Sequence, residues 1–157
     1  HDAGRGGITT DIARKLVQLL EPHGRIFITS ERPLEAEFEK YRIKIDPLNI
    51  HHALAFASLY IGDSQTMAAE AAVLGTPAIR FNDFVGEISY LRDLVEYGLS
   101  YGIRASEEER LMTTVKQLLR DIPGATAAAK SARERLLSDK IDCADFFTRL
   151  LTSVVQR

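Results

Sequence analysis

Apolar positions along this chain switch repeatedly between helical spacing and short β-type runs. Ile12, Leu16, Leu19 and Leu20 recur at i, i+4, i+7 and i+8 and place one apolar stripe on a first helix. Thr9 or Thr10 is suited to cap it, and Asp11 falls in the first turn, where the helix dipole favours an anion. Pro22 and Gly24 close it, and residues 25–29 (Arg-Ile-Phe-Ile-Thr) read as a short strand. Ser30 and Pro33 then open a charged helix over 34–41, followed by another short strand over 42–45.

Beyond the Asp46-Pro47 turn the pattern sharpens. It predicts a short helix over 50–56, a strand over 59–61 and a helix over 65–74, with Met67, Ala71 and Leu74 facing the sheet. Gly75 followed by Thr76-Pro77 is a helix stop. A strand over 78–81, a loop over 82–87, a helix over 88–97 and a short segment at 101–103 come next. From Ser106 onward the chain reads as helical. Ser106 with Glu109 forms a capping box ahead of the Leu111, Val115, Leu118 and Leu119 stripe. Pro123-Gly124 breaks this helix, and two more follow over 126–137 and 144–155.

Strands alternating with helices predict an α/β domain: a Rossmann-like parallel sheet with helices on both faces and a helical C-terminus. Ligands of such sheets sit at the carboxyl ends of the strands. The positions to examine are therefore the glycine loop at the start of the chain, Thr29-Ser30-Glu31, Gly62-Asp63-Ser64 and residues 82–87.

Composition narrows the classes. The 157 residues suit one domain, 1–157, and the net charge of −2 lacks the basic excess of a nucleic-acid binder. A single cysteine, Cys143, excludes a disulfide framework and a cysteine-rich metal site, and the scattered histidines offer no metal spacing. No apolar run approaches the ~20 residues of a membrane span, so the expectation is a cytoplasmic protein. The glycine loop that opens the chain has no strand before it to aim it. The chain therefore reads as a fragment cut just after its first strand.

Gly4, Gly6 and Gly7 let the backbone approach an anion closely, ahead of a helix whose free N–H groups point at that spot; a diphosphate fits there, and so does a plain tight turn. In the 62–77 block Asp63 or Ser64 caps the helix, and Ser64, Gln65 and Thr66 gather side-chain and backbone donors at its start. Glu70 sits with Thr66 beside the sheet-facing stripe, roughly 9 Å of helix rise from the cap. Helical side chains lean toward the N-terminus, so its carboxylate suits the paired hydroxyls of a ribose whose phosphates lie at the cap. His51, in the His51-His52 pair, is either a surface or capping residue or a catalytic candidate. Asn82, Asp83 and Glu87 form a polar loop after a strand, suited to sugar hydroxyls or simply to solvent.

The pattern Asp63-Ser64…Glu70…Gly75-Thr76-Pro77 resembles the C-terminal domain of GT-B-fold enzymes, among them nucleotide-sugar glycosyltransferases and the non-hydrolysing UDP-N-acetylglucosamine 2-epimerases. The epimerases carry two glycines after the Ser, where this chain has Gln65 and Thr66. The chain is most similar to an uncharacterised glycosyltransferase-like family known only as a domain of unknown function, over His1-Asp2…Gly4…Gly7, Ile28-Thr29-Ser30-Glu31, Ile50-His51, the 61–80 block and Phe84-Val85-Gly86-Glu87. The resemblance implies a nucleotide-sugar as substrate, with UDP the expected nucleotide, and no separate cofactor or metal. Gly4, Gly6, Gly7, Ser64, Gln65 and Thr66 would hold the diphosphate, Glu70 the ribose, and Ser30 and Glu31 would line the same site. His51 would stand near the cleft. The expected function is the donor-binding half of a glycosyltransferase that is inactive without its N-terminal domain. The alternatives are half of a UDP-sugar 2-epimerase and a non-catalytic α/β binding domain.

Overall fold

A computed structural model describes residues 6–155; His1 and Gly4 lie outside the described residues. The chain is an α/β domain built on a three-stranded sheet in the order β1 (Tyr60–Gly62), β2 (Ala78–Phe81), β3 (Ser100–Ile103). All pairings are parallel, with Ile61 beside Ile79 and Ile79 beside Tyr101. Seven helices accompany it among the described residues: α1 (Thr10–Leu20), α2 (Ile50–Phe56), α3 (Gln65–Leu74), α4 (Ser89–Glu96), α5 (Glu108–Arg120), α6 (Ile122–Asp139) and α7 (Cys143–Val155).

The sheet is covered on both faces because β2 is apolar on both. Ala78 belongs to a cluster with Leu54 of α2, Ala71 and Ala72 of α3, Leu91 and Leu94 of α4, and Ala132 and Leu136 of α6. Ile79 and Phe81 point the other way, into a cluster with Ile12 and Leu16 of α1 and Leu111, Val115 and Leu118 of α5. Every residue of β2 is buried, as expected of a central parallel strand. The outermost element is α7, whose Phe146, Phe147, Leu150, Leu151 and Val154 are all exposed.

Local chemistry explains the elements that frame the ligand edge. The Thr9 side chain accepts from the Ile12 amide and starts α1. At α3 the Ser64 hydroxyl accepts from the Met67 amide at 3.3 Å. The same helix ends on Gly75 at φ +87°, a left-handed conformation that glycine adopts freely, with its amide bonded back to Ala71 and Ala72. The buried face of α3 is centred on alanines: Ala68, Ala71 and Ala72 are buried, while Met67 and Leu74 of the expected stripe are only partly so.

Four expectations need correction. Residues 25–29 and 42–45 do not form strands of the sheet. They meet in one isolated parallel bridge between Ile28 and Arg42, with Ile28 N–H donating to Tyr41 and Ile28 C=O accepting from Ile43. Phe27 is 58% exposed, so this pair lacks the covering layers a parallel sheet requires. The intervening helix is a short 3₁₀ segment, Ala36–Tyr41, anchored by buried Phe38. The Ser106–Glu109 capping box does not form, because the Arg104 amide turns back onto the Glu107 carboxylate at 3.0 Å and Glu107 becomes the N-cap residue of α5. Pro123-Gly124 stands inside the first turn of α6, with the Asp121 side chain accepting from the Gly124 amide at 2.9 Å.

Candidate functional site

Three loops meet at the carboxyl edge of the sheet. The link between the β1 and β2 loops is Asn82, which is 3% exposed. Its side-chain amide donates to the Asp63 carbonyl at 2.7 Å, its Oδ1 accepts from the Phe84 amide at 3.1 Å, and its own N–H donates to Ile103 of β3. Both ends of this side chain hold the edge together. Asn82 is therefore a structural tie at the position expected to face a sugar.

The glycine segment closes onto this edge. Gly6 N–H donates to Asp83 Oδ2 at 2.6 Å, and Ile8 N–H donates to Asp63 Oδ2 at 3.3 Å. The approach requires glycine on steric grounds. A Cβ on Gly7 would lie 2.7 Å from Asp63 Oδ2, and one on Gly6 would lie 2.7 Å from Ala105 Cβ and 2.8 Å from Asp83 Oδ2. The anions that these amides meet are thus the chain's own carboxylates. The start of α3 brings further donors to this edge, where Ser64 caps and the Gln65 and Thr66 amides precede the first intrahelical bonds. Gln65 Oε1 is buried without a hydrogen-bond partner among the described residues. Thr66 is exposed.

On the flank of α3, two residues singled out in the sequence meet. His51 Nε2 lies 3.5 Å from Glu70 Oε2, with 58% and 33% of the two side chains exposed. They share an open groove of about 610 Å³ with Ala69, Val73, Tyr90, Leu94, Leu136 and Lys140. The pairing depends on α2 lying against α3. The buried Thr76 hydroxyl donates to the Leu54 carbonyl at 2.7 Å and Leu54 sinks into the core.

Ser30 and Glu31 are exposed, and the Ser30 hydroxyl accepts from the Arg32 amide. Their neighbour Thr29 places its hydroxyl 3.9 Å from the Met67 sulfur, which brings the end of the 25–29 segment to the side of α3. Glu87 is exposed at the end of the β2 loop, its amide bonded to Phe84. No group of three or more potential metal ligands occurs among the described residues.

Two polar residues of this region escaped the sequence reading. Tyr60 turns its ring over Gly62, and its hydroxyl fills the space where a side chain at that position would stand. Burial, and then the charges of Asp63 and Glu70, push its phenol above the ordinary value of 10.0, so it remains a neutral donor beside both carboxylates. The Tyr-x-Gly spacing was the available signal, since residues two apart in a strand share a face. The other is Arg80, 3% exposed on β2, whose burial lowers its pKa.

No family model, curated protein or solved structure matches this chain. No helix among the described residues is long and apolar enough to cross a membrane.

Proposed function

We propose that this domain is the donor-binding half of a GT-B-type glycosyltransferase and holds a nucleotide-sugar, with a UDP-sugar as the donor. The observation that carries the reading is Glu70. Its carboxylate is one-third exposed, stands beside a groove large enough for a nucleoside, and lies on the helix whose first amides are donors at the sheet edge. Phosphates at the Gln65 and Thr66 amides and ribose hydroxyls on Glu70 use both features at once. Asp83 and Glu87 are the acceptors for the sugar. His51 contacts Glu70 and orients it. In this reading the acceptor site and the general base come from a second domain, and the chain alone does not turn over.

Calorimetric titration with UDP tests the proposal. Glu70→Ala is expected to weaken binding by about tenfold or more, the equivalent of ~1.4 kcal/mol. Equal affinity in the two proteins would remove the ribose assignment, and no heat with UDP or UDP-sugars would remove the function.

A further inference from the structure

Arg80 is the described side chain most at odds with its surroundings. It occupies the central strand, is 3% exposed, and forms no ion pair among the described residues, while its Nη1 is buried without a hydrogen-bond partner. A guanidinium does not give up its proton in a protein, so a positive charge stands here with one buried nitrogen that meets no acceptor among the described residues. Buried charges are costly unless paired, and buried donors are nearly always satisfied. An apolar residue would serve the core better at this position. The charge therefore has a use.

Its placement indicates which use. Alternation puts Arg80 on the same face as Ala78, toward α3 and α4, at the carboxyl end of β2. Gly102 stands directly beside it on β3, and a Cβ there would lie 3.4 Å from Arg80 Nη2 and 3.2 Å from Val85 Cγ1. The guanidinium thus extends over the gap left by Gly102, under the loop that carries Val85 into α4. The N-cap residue of that helix is Ile88, which provides no side-chain cap, so the first-turn amides meet no acceptor from the cap side chain. Tyr90, in the same first turn, lies within electrostatic reach of Arg80. A cation with a buried, unpartnered nitrogen and an uncapped helix start thus flank the same short loop. Gly86, exposed at φ +92°, is the point at which that loop turns.

We propose that Arg80 is the anchor of an oxyanion site between β2 and the start of α4, reached beneath the 84–87 loop. Phosphate or carboxylate oxygens pair with the guanidinium while the α4 amides donate to the same group. The two sources are a phosphate of the ligand and a carboxylate of an acidic sugar. The site does not depend on a nucleotide being present, so it stands or falls separately from the reading of Glu70.

The test uses the whole chain labelled with ¹⁵N-arginine. The Arg80 Nε–H resonance is assigned by its loss in Arg80→Lys, then followed during titration with inorganic phosphate and, separately, with glucuronate, each against sodium chloride at equal ionic strength. The expected result is a saturable shift of the Arg80 signal with at least one of the two oxyanions and none with chloride. A response to phosphate alone assigns a phosphate site, and a response to glucuronate alone assigns a carboxylate site. Gly102→Ala, which crowds the guanidinium, is expected to weaken binding by about tenfold. An Arg80 signal unmoved by both oxyanions, or moved equally by chloride, overturns the proposal. If Arg80→Lys does not fold, Gly102→Ala supplies the variant, and unchanged affinity in it also overturns the proposal.

Discussion

The Thr76 hydroxyl donates to the Leu54 carbonyl at 2.7 Å inside the core, and this bond fixes α2 against the turn that ends α3. The same carbonyl accepts from the Ala57 amide at 3.2 Å, so the Thr76 bond is its second at the C-terminal end of a short helix. The position of His51 relative to Glu70 follows from it.

Thr76→Val keeps the shape and removes the donor. It is expected to cost about 1 kcal/mol in urea unfolding, the usual net worth of a buried neutral hydrogen bond. The informative readout is local. Amide exchange in α2 should accelerate more than in α3, whose Gly75 cap is untouched. Uniform acceleration in both helices would mean that the bond stabilises the domain without positioning α2.

Tyr60 gives the domain a pH dependence at the alkaline end. Burial, with Asp63 and Glu70 nearby, raises its folded pKa above the unfolded value of 10.0. A raised pKa means that the stabilisation is fully present below about pH 10 and is lost as pH rises through the folded value, because the unfolded chain releases its proton first. Stability should therefore fall with increasing pH above 10 in the wild type, and fall less steeply in Tyr60→Phe. Parallel pH profiles for the two proteins would rule out Tyr60 as the source.

Asn82 offers a third measurement. The Asn82 side chain, 3% exposed, bonds the Asp63 carbonyl and the Phe84 amide, so Asn82→Ala removes two part-buried hydrogen bonds at once. The expected loss is about 1–3 kcal/mol. Asn82→Asp retains the acceptor for Phe84 but turns a carboxylate oxygen toward the Asp63 carbonyl, and should be at least as destabilising at neutral pH. If Asn82→Ala is neutral in stability and weakens only ligand binding, the residue is a sugar contact after all.

How far these relationships were legible depended on whether their cause was local. Helices 50–56 and 65–74 and the strand 78–81 follow from cues within the segments: an apolar run, the Ser64 cap, the Gly75 stop. Residues 25–29 carry equally good β-formers, yet form only the Ile28–Arg42 bridge, because pairing needs covering layers that a single segment does not specify. The Ser106–Glu109 box failed to a competitor one residue away, Glu107. Within the site, Glu70 and His51 stood out as polar residues at exposed helical positions. Arg80 did not, since its significance rests on strand register with Gly102 and on a partner that is missing.

The glycine segment yields the prediction that most directly divides two roles. Asp83 and Asp63 accept from the Gly6 and Ile8 amides, so carboxylates occupy donors that the sequence offered to a diphosphate. Two negative charges beside a phosphate site repel it, by roughly 1 kcal/mol each at 4 Å in water and more near a protein surface. If phosphates lie at the Gln65 and Thr66 amides, Asp83→Asn removes one repulsion and should tighten UDP binding severalfold, the gain shrinking in high salt. If the glycine amides themselves bind the diphosphate, Asp83 is its competitor, and Asp83→Ala should tighten binding further than Asp83→Asn, because no side-chain oxygen then remains to hold the Gly6 amide. Weaker binding of a UDP-sugar in both variants, with UDP itself bound no more weakly, would show that Asp83 accepts from the sugar and would assign this edge of the sheet to it.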